Sequence, residues 1–192
     1  YQLSSQLSIG VGAQVMYADG AFKFATGTGL NAFRGPNSFF EGNGLGVGGT
    51  AGLTWKPVAG TTIGLGYRSQ MTVELEGRFA TNDGTAVAAG AAGVAITNGI
   101  AASTEIDLPD LVTISLTQAI TPNMRLLATA EWSGWSRFKE LRVIAEQPGA
   151  TVLGARGAGQ TVGVIDANWD DGYFVSIGGE YDVSRQLTVR AG

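Results

Sequence analysis

Alternation between apolar and small or polar residues recurs along this chain and constrains its fold more than any other feature. In the clearest stretch, Ile63 to Phe79, apolar residues occupy the odd-numbered positions, interrupted only by Ser69 and Gly77. A period of two is typical of a β-strand with two different faces. The pattern occurs at about residues 7–17, 45–55, 63–79, 106–120, 126–138, 173–181 and 187–189. An all-β chain with about seven strands is therefore predicted.

Short and long connections alternate between these stretches. The short ones, at 57–60, 120–123 and 182–185, carry the Pro, Gly, Asn and Asp residues that favour turns. The long ones span about 22–43, 80–104 and 139–170, which exceeds ordinary hairpin loops. Short turns at one end and long loops at the other are typical of bacterial outer-membrane barrels.

The composition of the two strand faces supports a transmembrane antiparallel up-and-down β-barrel. Trp55 and Tyr181 lie beside short turns, whereas Tyr17, Phe79 and Tyr173 lie toward long loops, as two interfacial aromatic girdles would require. A soluble β-sandwich or lipocalin-like barrel would also alternate, but its polar face would be charged. Here that face is mostly Gly, Ser and Thr, and only 15% of the residues are charged.

Seven strands are too few for a complete barrel of this kind. Single-chain bacterial barrels have even strand numbers, and an open sheet would leave edge N–H and C=O groups unsatisfied in lipid. We therefore expect residues 1–192 to be a partial outer-membrane barrel domain of a longer protein, unless copies of the chain pair with each other.

The residue types exclude most catalytic chemistry. Cys and His are absent, so no disulfide, Cys/His zinc site or histidine base is expected, and neither is a cofactor. Nucleic acid is an unlikely partner at a net charge of −4. The glycines of 44–49 lie within a strand, 154–161 lacks the phosphate-binding Lys, and 166–177 lacks the Glu of a calcium loop. We expect no enzyme and no metal.

Charged residues on the strands indicate the kind of channel. Glu74 and Glu76 share one face with Arg68 and Arg78, which favours a network of charges in the lumen over a catalytic carboxylate pair. A general diffusion porin, the main alternative, would show denser ladders of opposite charges. The predicted lumenal charges are sparse: Arg68, Glu74, Glu76, Arg78, Glu131, Arg137 and Glu180.

Two long loops are unusually apolar. Residues 22–40 contain five phenylalanines and a leucine within 19 positions, and residues 85–101 carry no charge and could form a short helix. Apolar surface of this extent marks a binding site, although the loops could also pack on each other or plug the barrel. The candidate ligand-binding residues are Phe22, Phe24, Leu30, Phe33, Phe39, Phe40, Val94, Ile96 and Ile100.

Several motifs resemble the long-chain fatty acid transport (FadL/TodX-type) family, in order and in spacing. They cover nearly the whole chain: Tyr1–Tyr17, Gly44–Trp55, Gly66–Ser69, Leu108–Asp110, Glu131–Phe138, Trp169–Tyr173 and Leu187–Gly192. The resemblance implies a monomeric, 14-stranded barrel in the bacterial outer membrane, plugged by an N-terminal hatch. This chain would be its middle, without the hatch, the first strands and the closing strands.

The resemblance also implies uptake of long-chain fatty acids or other hydrophobic compounds, collected by the outer loops. Where the family often places a basic residue after its first matching strand, this chain has Asp19, with Lys23 nearby. Lys23 and Arg68 are therefore the candidate contacts for a ligand carboxylate. A fatty acid, an aromatic hydrocarbon and a quorum-type lipid all fit the same loop chemistry.

Overall fold

The computed structural model describes residues 1–25, 37–82, 99–151 and 154–192, and almost all of its regular structure is β-strand. No helix in these ranges is long and apolar enough to cross a membrane. A single 3-10 turn spans Trp135–Arg137. The strands are β1 Leu7–Ala25, β2 Asn37–Trp55, β3 Thr61–Arg68, β4 Met71–Asn82, β5 Ile100–Leu108, β6 Leu111–Thr121, β7 Met124–Ser133, β8 Glu140–Ala145, β9 Gly149–Thr151, β10 Gly154–Arg156, β11 Thr161–Asp166, β12 Gly172–Asp182 and β13 Thr188–Ala191.

Eleven of these strands form one antiparallel sheet, whereas β9 and β10 form a separate hairpin. β1 pairs with β2 along its whole length. β2 then pairs with β3 and β4 at its other edge, and the order continues through β6, β7, β12 and β13 at one level and through β5, β8 and β11 at the other. The chain thus makes seven up-and-down passes, as the alternation predicted.

Four adjacent passes are interrupted at the same level. The interruptions separate β3 from β4, β5 from β6, β7 from β8, and β11 from β12, at residues 69–70, 109–110, 134–139 and 167–171. Pro109 lies in one of them, and proline cannot donate a ladder hydrogen bond. Arg137, in the third interruption, contacts residues of the first two. Its Nη1 donates to Gln70 Oε1 at 2.8 Å, and its Nε lies 3.4 Å from Asp110 Oδ1. We call this level the break.

Below the break lies a region that we call the lower band: β3, β6, β7, β12, β13 and the adjoining halves of β1 and β2. Its strands β6, β7 and β12 have 10 or 11 residues, the length of a transmembrane strand. Large apolar side chains are exposed on one face, which we call outward. Just below the break, Tyr67, Val112, Trp132 and Tyr173 are successive cross-strand partners on that face. This row matches an interfacial aromatic girdle.

Above the break, β4, β5, β8, β11 and the remaining halves of β1 and β2 form what we call the upper region. Its side-chain orientation is reversed: Leu65 and Tyr67 of β3 are exposed on the outward face, but Val73 and Leu75 of β4 are buried. The pairing explains the reversal, because Leu53 lies opposite Leu65 whereas Phe40 lies opposite Phe79. The register therefore shifts by one residue, which reverses the face of the side chains of β4 relative to those of β3.

Ser69 stabilises the register shift. Its N–H donates to Gly49 O at 2.9 Å, and its hydroxyl accepts from the Gly49 N–H at 2.8 Å. A side-chain oxygen thus replaces a ladder carbonyl where the register changes, so the Gly49 donor stays satisfied.

The inward side chains of the upper region form the main apolar core of the described chain. Phe40 and Leu75 are 0% exposed, and Met16 and Phe22 of β1 pack against the same cluster. Glycines of β2 permit this packing: a Cβ at Gly44 would lie 1.8 Å from the carbonyl oxygen of Glu74. The remaining buried members are Met71, Val73, Phe79, Ile100, Ala102, Leu141, Val143, Ala145 and Val162.

Two predictions are wrong because of this reversal, and a third is wrong because strands extend into the predicted loops. Glu74, Glu76 and Arg78 are exposed on the outward face of β4, not in the lumen. Phe79 is buried, so it does not belong to an outer aromatic girdle. The loops are also shorter than predicted, since β1, β2, β4, β5, β8 and β11 extend into 22–43, 80–104 and 139–170. Of the possible helix at 85–101, only Ile100 and Ala101 are described as regular structure, and both lie in β5.

The predicted short connections at 57–60, 120–123 and 182–185 join strands as expected. The turn at 182–185 shares its geometry with the turn at 4–7. Ser4 and Ser184 each accept two backbone N–H bonds through the hydroxyl, from Gln6 and Leu7 and from Gln186 and Leu187. These serine turns tighten the same end of the sheet.

Candidate functional site

The lumenal face at the break holds a cleft of about 720 Å³. Glycines form its floor, because Gly46 and Gly48 of β2 lie directly beneath the Met71 side chain. Its lining combines apolar and polar groups: Ala13, Gln14, Val15, Met16, Tyr17, Arg68, Ser69, Met71, Leu108 and Pro109. Methionine side chains adapt to ligands of different shape. The cleft therefore suits an apolar group of variable form.

Arg68 is the cation of this cleft. It ends β3 on the lumenal face, between Thr50 of β2 and Leu111 of β6. It makes no ion pair with any carboxylate in the part of the chain that the structure describes, whereas Arg125 and Arg190 pair with Glu180 at 3.0 and 2.6 Å. An unpaired guanidinium beside apolar side chains can bind a carboxylate in a bidentate manner.

The lumenal face below the cleft is smooth and polar. A groove of about 480 Å³ is lined mainly by glycine, serine and threonine, among them Ser8, Gly52, Thr54, Gly64, Thr113 and Ser115. Its charges satisfy one another: Thr113 donates to Glu131 at 2.9 Å, and Arg125 contacts both Glu180 and Asp182. Glu131 and Glu180 thus lie on the lumenal face, as predicted, and Arg68 lies between this lining of small residues and the cleft at the break.

An aromatic cluster continues the apolar lining on the far side of Arg68. The ring centroid of Trp169 lies 4.9 Å from that of Trp135 and 5.1 Å from that of Phe138, both in edge-on geometry. Phe138 packs against the upper core, whereas Trp169 is 49% exposed.

Asp171 holds this aromatic cluster in place. Its carboxylate accepts from the Ser136 N–H at 3.0 Å and from the Trp132 indole N–H at 3.1 Å. Hydrogen bonds from the Ser136 side chain and backbone lower the pKa of Asp171 below its ordinary value of 3.8. The carboxylate is therefore charged across the neutral range.

The predicted loop residues fall into three groups. Phe22, Phe40 and Ile100 come together in the upper core, where the Phe22 and Phe40 rings stack at 6.3 Å. Phe39 lies on the opposite face of β2, in an outer groove that also contains Glu41 and Arg78. Lys23 is exposed opposite Phe39. Leu30, Phe33, Val94 and Ile96 lie outside the described residues, as does the side chain of Phe24.

Sequence reasoning missed Met16, Met71, Leu108 and the aromatic cluster as candidate site residues. Alternation alone assigned the first two to different strand faces. The available signals were the Leu108-Pro-Asp110 interruption and the Trp-rich stretch 131–138, which mark the break in two strands.

An antiparallel sheet with an outward apolar band, an aromatic girdle and a lumenal apolar cleft defines part of a transmembrane β-barrel. The whole chain, residues 1–192, belongs to the family described as outer membrane protein transport protein (OMPP1/FadL/TodX). This membership places the chain in the outer membrane, in a family of transport proteins.

Two curated relatives support this assignment. The chain is 29% identical to the 47 kDa outer membrane protein of Pasteurella multocida over 160 residues, covering 81% of this chain and 35% of the relative. It is 20% identical to the long-chain fatty acid transport protein of Escherichia coli O6:H1 over 217 residues, covering 100% and 46%. The chain thus spans less than half the length of either relative.

Two solved structures share the fold. A Pseudomonas aeruginosa FadL homologue superposes with a TM-score of 0.75 at 20% identity, covering 99% of this chain and 46% of that one. The deltaS2S3 mutant of the TodX monoaromatic hydrocarbon channel superposes with a TM-score of 0.64 at 16% identity, covering 99% and 50%. Both confirm the all-β barrel architecture that the alternation predicted.

Proposed function

We propose that the complete barrel takes up hydrophobic compounds, long-chain fatty acids among them, and that this chain supplies the middle of a monomeric 14-stranded barrel. The observation that carries the proposal is the unpaired Arg68 at the edge of an apolar cleft. A general diffusion porin is less well supported, because the lower lumenal charges Arg125, Glu180 and Asp182 pair with one another on one side of the wall.

The ligand would place its carboxylate at Arg68 and its chain against Met16, Met71 and Leu108. Each methylene removed from water contributes about 0.8 kcal/mol. Such transfer therefore needs no catalytic group and no cofactor. Met71, which lies over Gly46 and Gly48, forms part of the wall against which the chain would pack.

The apolar loop residues would collect the ligand outside the cell before it reaches the cleft. Phe39 and Lys23 are placed for this role at the outer end of the β1–β2 hairpin, which extends beyond the lower band. The proposed collecting residues are Phe24, Leu30, Phe33, Phe39, Val94 and Ile96, with Lys23 as a second carboxylate contact, whereas Phe22, Phe40 and Ile100 pack in the upper core.

Binding of a long-chain fatty acid to the detergent-purified full-length protein tests the proposal. Arg68→Gln should weaken binding of the acid by about 10-fold or more, since a hydrogen bond to a charged group contributes about 1.5–3 kcal/mol. Binding of the corresponding fatty alcohol should change little.

Arg142→Gln is the matched control, because this exposed arginine of β8 pairs with Glu140 and lines neither the cleft nor the outer groove. It should leave both affinities unchanged. Failure of a correctly folded wild-type barrel to bind either ligand would refute the proposed function, and equal effects of the two substitutions would refute the role of Arg68.

A further inference from the structure

A row of lumenal residues connects Arg68 to the aromatic cluster. Arg68 pairs with Leu111, Leu111 with Ser133, and Ser133 with Gly172. Trp135 lies at the end of this row, because its Cδ1 atom would be 3.6 Å from a Cβ at Gly172. Three strand spacings of about 4.8 Å place the aromatic cluster roughly 14 Å from Arg68 around the wall. The cleft at the break, which we call the methionine cleft, extends from the same arginine toward β1, where Met16 lies.

Backbone hydrogen bonds fix the position of Trp169 independently of its ring contacts. The N–H groups of Ala167 and Asn168 both donate to Lys139 O at 2.9 Å, and that of Trp169 donates to Phe138 O at 3.3 Å. Asn168 adopts a φ of +46° to make this fold possible, a conformation that is uncommon outside glycine. Together with Asp171, these bonds hold the two indoles in an open arrangement.

The cluster has the properties of a binding surface. Trp169 is half-exposed on the lumenal side, and neither the Trp135 nor the Trp169 indole N–H has a hydrogen-bond partner among the described residues. Edge-on pairs such as Trp135–Trp169 also leave ring faces free to receive a further aromatic ring.

We propose that the aromatic cluster Trp135–Phe138–Trp169 is a second binding site, which takes the aryl group of an aromatic carboxylic acid whose carboxylate lies at Arg68. The proposal rests on the proposed function of Arg68 and extends it. Saturated chains use the methionine cleft on one side of the arginine, and aromatic ends use the tryptophans on the other. One cation thereby serves two classes of hydrophobic tail.

The chemistry of the two sites explains the division. Met16 and Met71 both line the cleft, and methionine side chains adapt to a bending alkyl chain. Trp135 and Trp169 are rigid and already oriented. Aromatic pairs in such geometry gain about 0.5–1.5 kcal/mol beyond the area that they bury, and a saturated chain gains none of this increment.

Competition binding to the full-length barrel in detergent tests the division. The probes are an ω-phenylalkanoic acid whose ring and carboxylate are about 14 Å apart, as the strand spacing requires, and a straight-chain acid of equal carbon number. Trp169→Leu should weaken binding of the aryl acid by about two-fold to ten-fold and leave the straight-chain acid unaffected. Trp169→Phe should preserve most of the aryl affinity. Met16→Ala should weaken binding of the straight-chain acid and leave binding of the aryl acid unaffected.

The two proposals fail in distinguishable ways. If Trp169→Leu weakens both acids equally, or neither, the second site is refuted while the role of Arg68 stands on its own measurement. If Trp169→Leu does not fold, Trp169→Phe decides, together with quenching of tryptophan fluorescence by a nitrophenyl-terminated acid. Quenching that is equal in wild type and Trp169→Phe would overturn the proposal, and quenching that falls in Trp169→Phe would support it.

Discussion

The lower band and the upper region are built from the same seven passes, yet their faces are reversed. In the lower band the exposed face carries Leu65, Tyr67 and Val175, and the lumenal face is glycine, serine and threonine. In the upper region the exposed face carries Glu74 and Glu76. The solvent outside explains the difference, because lipid surrounds the first region and water surrounds the second.

The reversal also explains where the site lies. The lower lumen is polar, and the upper interior is filled by its own side chains, with Phe40 and Leu75 fully buried. At the break, by contrast, apolar side chains line an open cleft beside Arg68, which makes no ion pair among the described residues. A hydrophobic acid therefore finds its best site at the boundary between the two regions.

The sharpest test of the comparison places the same charge on both outward faces. Ile177 is 67% exposed in the middle of β12, so Ile177→Lys should destabilise the folded barrel by roughly 2–4 kcal/mol in lipid. Glu76→Lys, on the outward face of the upper region, should cost little. Urea unfolding in lipid vesicles measures both. Equal costs would show that the two outward faces contact the same solvent.

A second test adds one methyl group to each region. Gly44→Ala should destabilise the barrel by about 1–3 kcal/mol, because overpacking forces the backbone to move and the new Cβ would lie 1.8 Å from Glu74 O. Gly10→Ala in the lower band is the control, since no atom lies within 4 Å of its Cβ position. Heat-modifiability on gels reports both. A stable Gly44→Ala barrel would contradict the close packing of β2 on β4.

The smallest expected effect is on the decline of thermal stability at acidic pH. The folded-state pKa of Asp171, which lies between β11 and β12 at the break, is lowered from 3.8. Its stabilising contribution is therefore complete above that value and is lost as the pH falls through the folded pKa. Asp171→Asn should flatten the decline in thermal stability below about pH 3.8. If the decline of thermal stability at acidic pH is unchanged, the contacts of Asp171 with Ser136 and Trp132 do not contribute to stability.

Much of the fold could be predicted because alternation of apolar and polar residues with a period of two is a direct sign of a β-strand. The segment 173–181 corresponds closely to β12, whereas 106–120 includes the end of β5 and the interruption at 109–110 as well as β6. The turn at 182–185 was recognised from its polar residues. Loop lengths were overestimated, since the β1–β2 hairpin continues to Ala25 and Asn37 through residues that are less regularly alternating.

The reversal could not be predicted from alternation. Between Tyr67 and Met71, Ser69 and Gln70 leave the odd-numbered apolar positions in apparent register. Alternation shows that a strand has two faces, but it does not show which face points outward. That choice depended on Gly49, which is 20 positions from Ser69 in sequence and binds it in the sheet.

The candidate site was predicted only in part. Arg68 was identified as a candidate cation, and the structure places it in the cleft. Its apolar partners Met16 and Leu108 come from two other passes of the chain. The cross-strand register decides which residues from distant parts of the sequence meet on one surface. Composition does not reveal that register, so it could not predict this set of residues.

The sequence by itself determined an outer-membrane-type barrel with its strands and turns, because alternation and turn chemistry are local. Only the tertiary structure decided which face meets lipid, where the apolar core lies, and that Arg68 stands between a methionine cleft and a tryptophan cluster. These features depend on cross-strand register. A shift of one residue at Ser69, stabilised by a contact with a distant glycine, reverses the face of the side chains of β4 relative to those of β3.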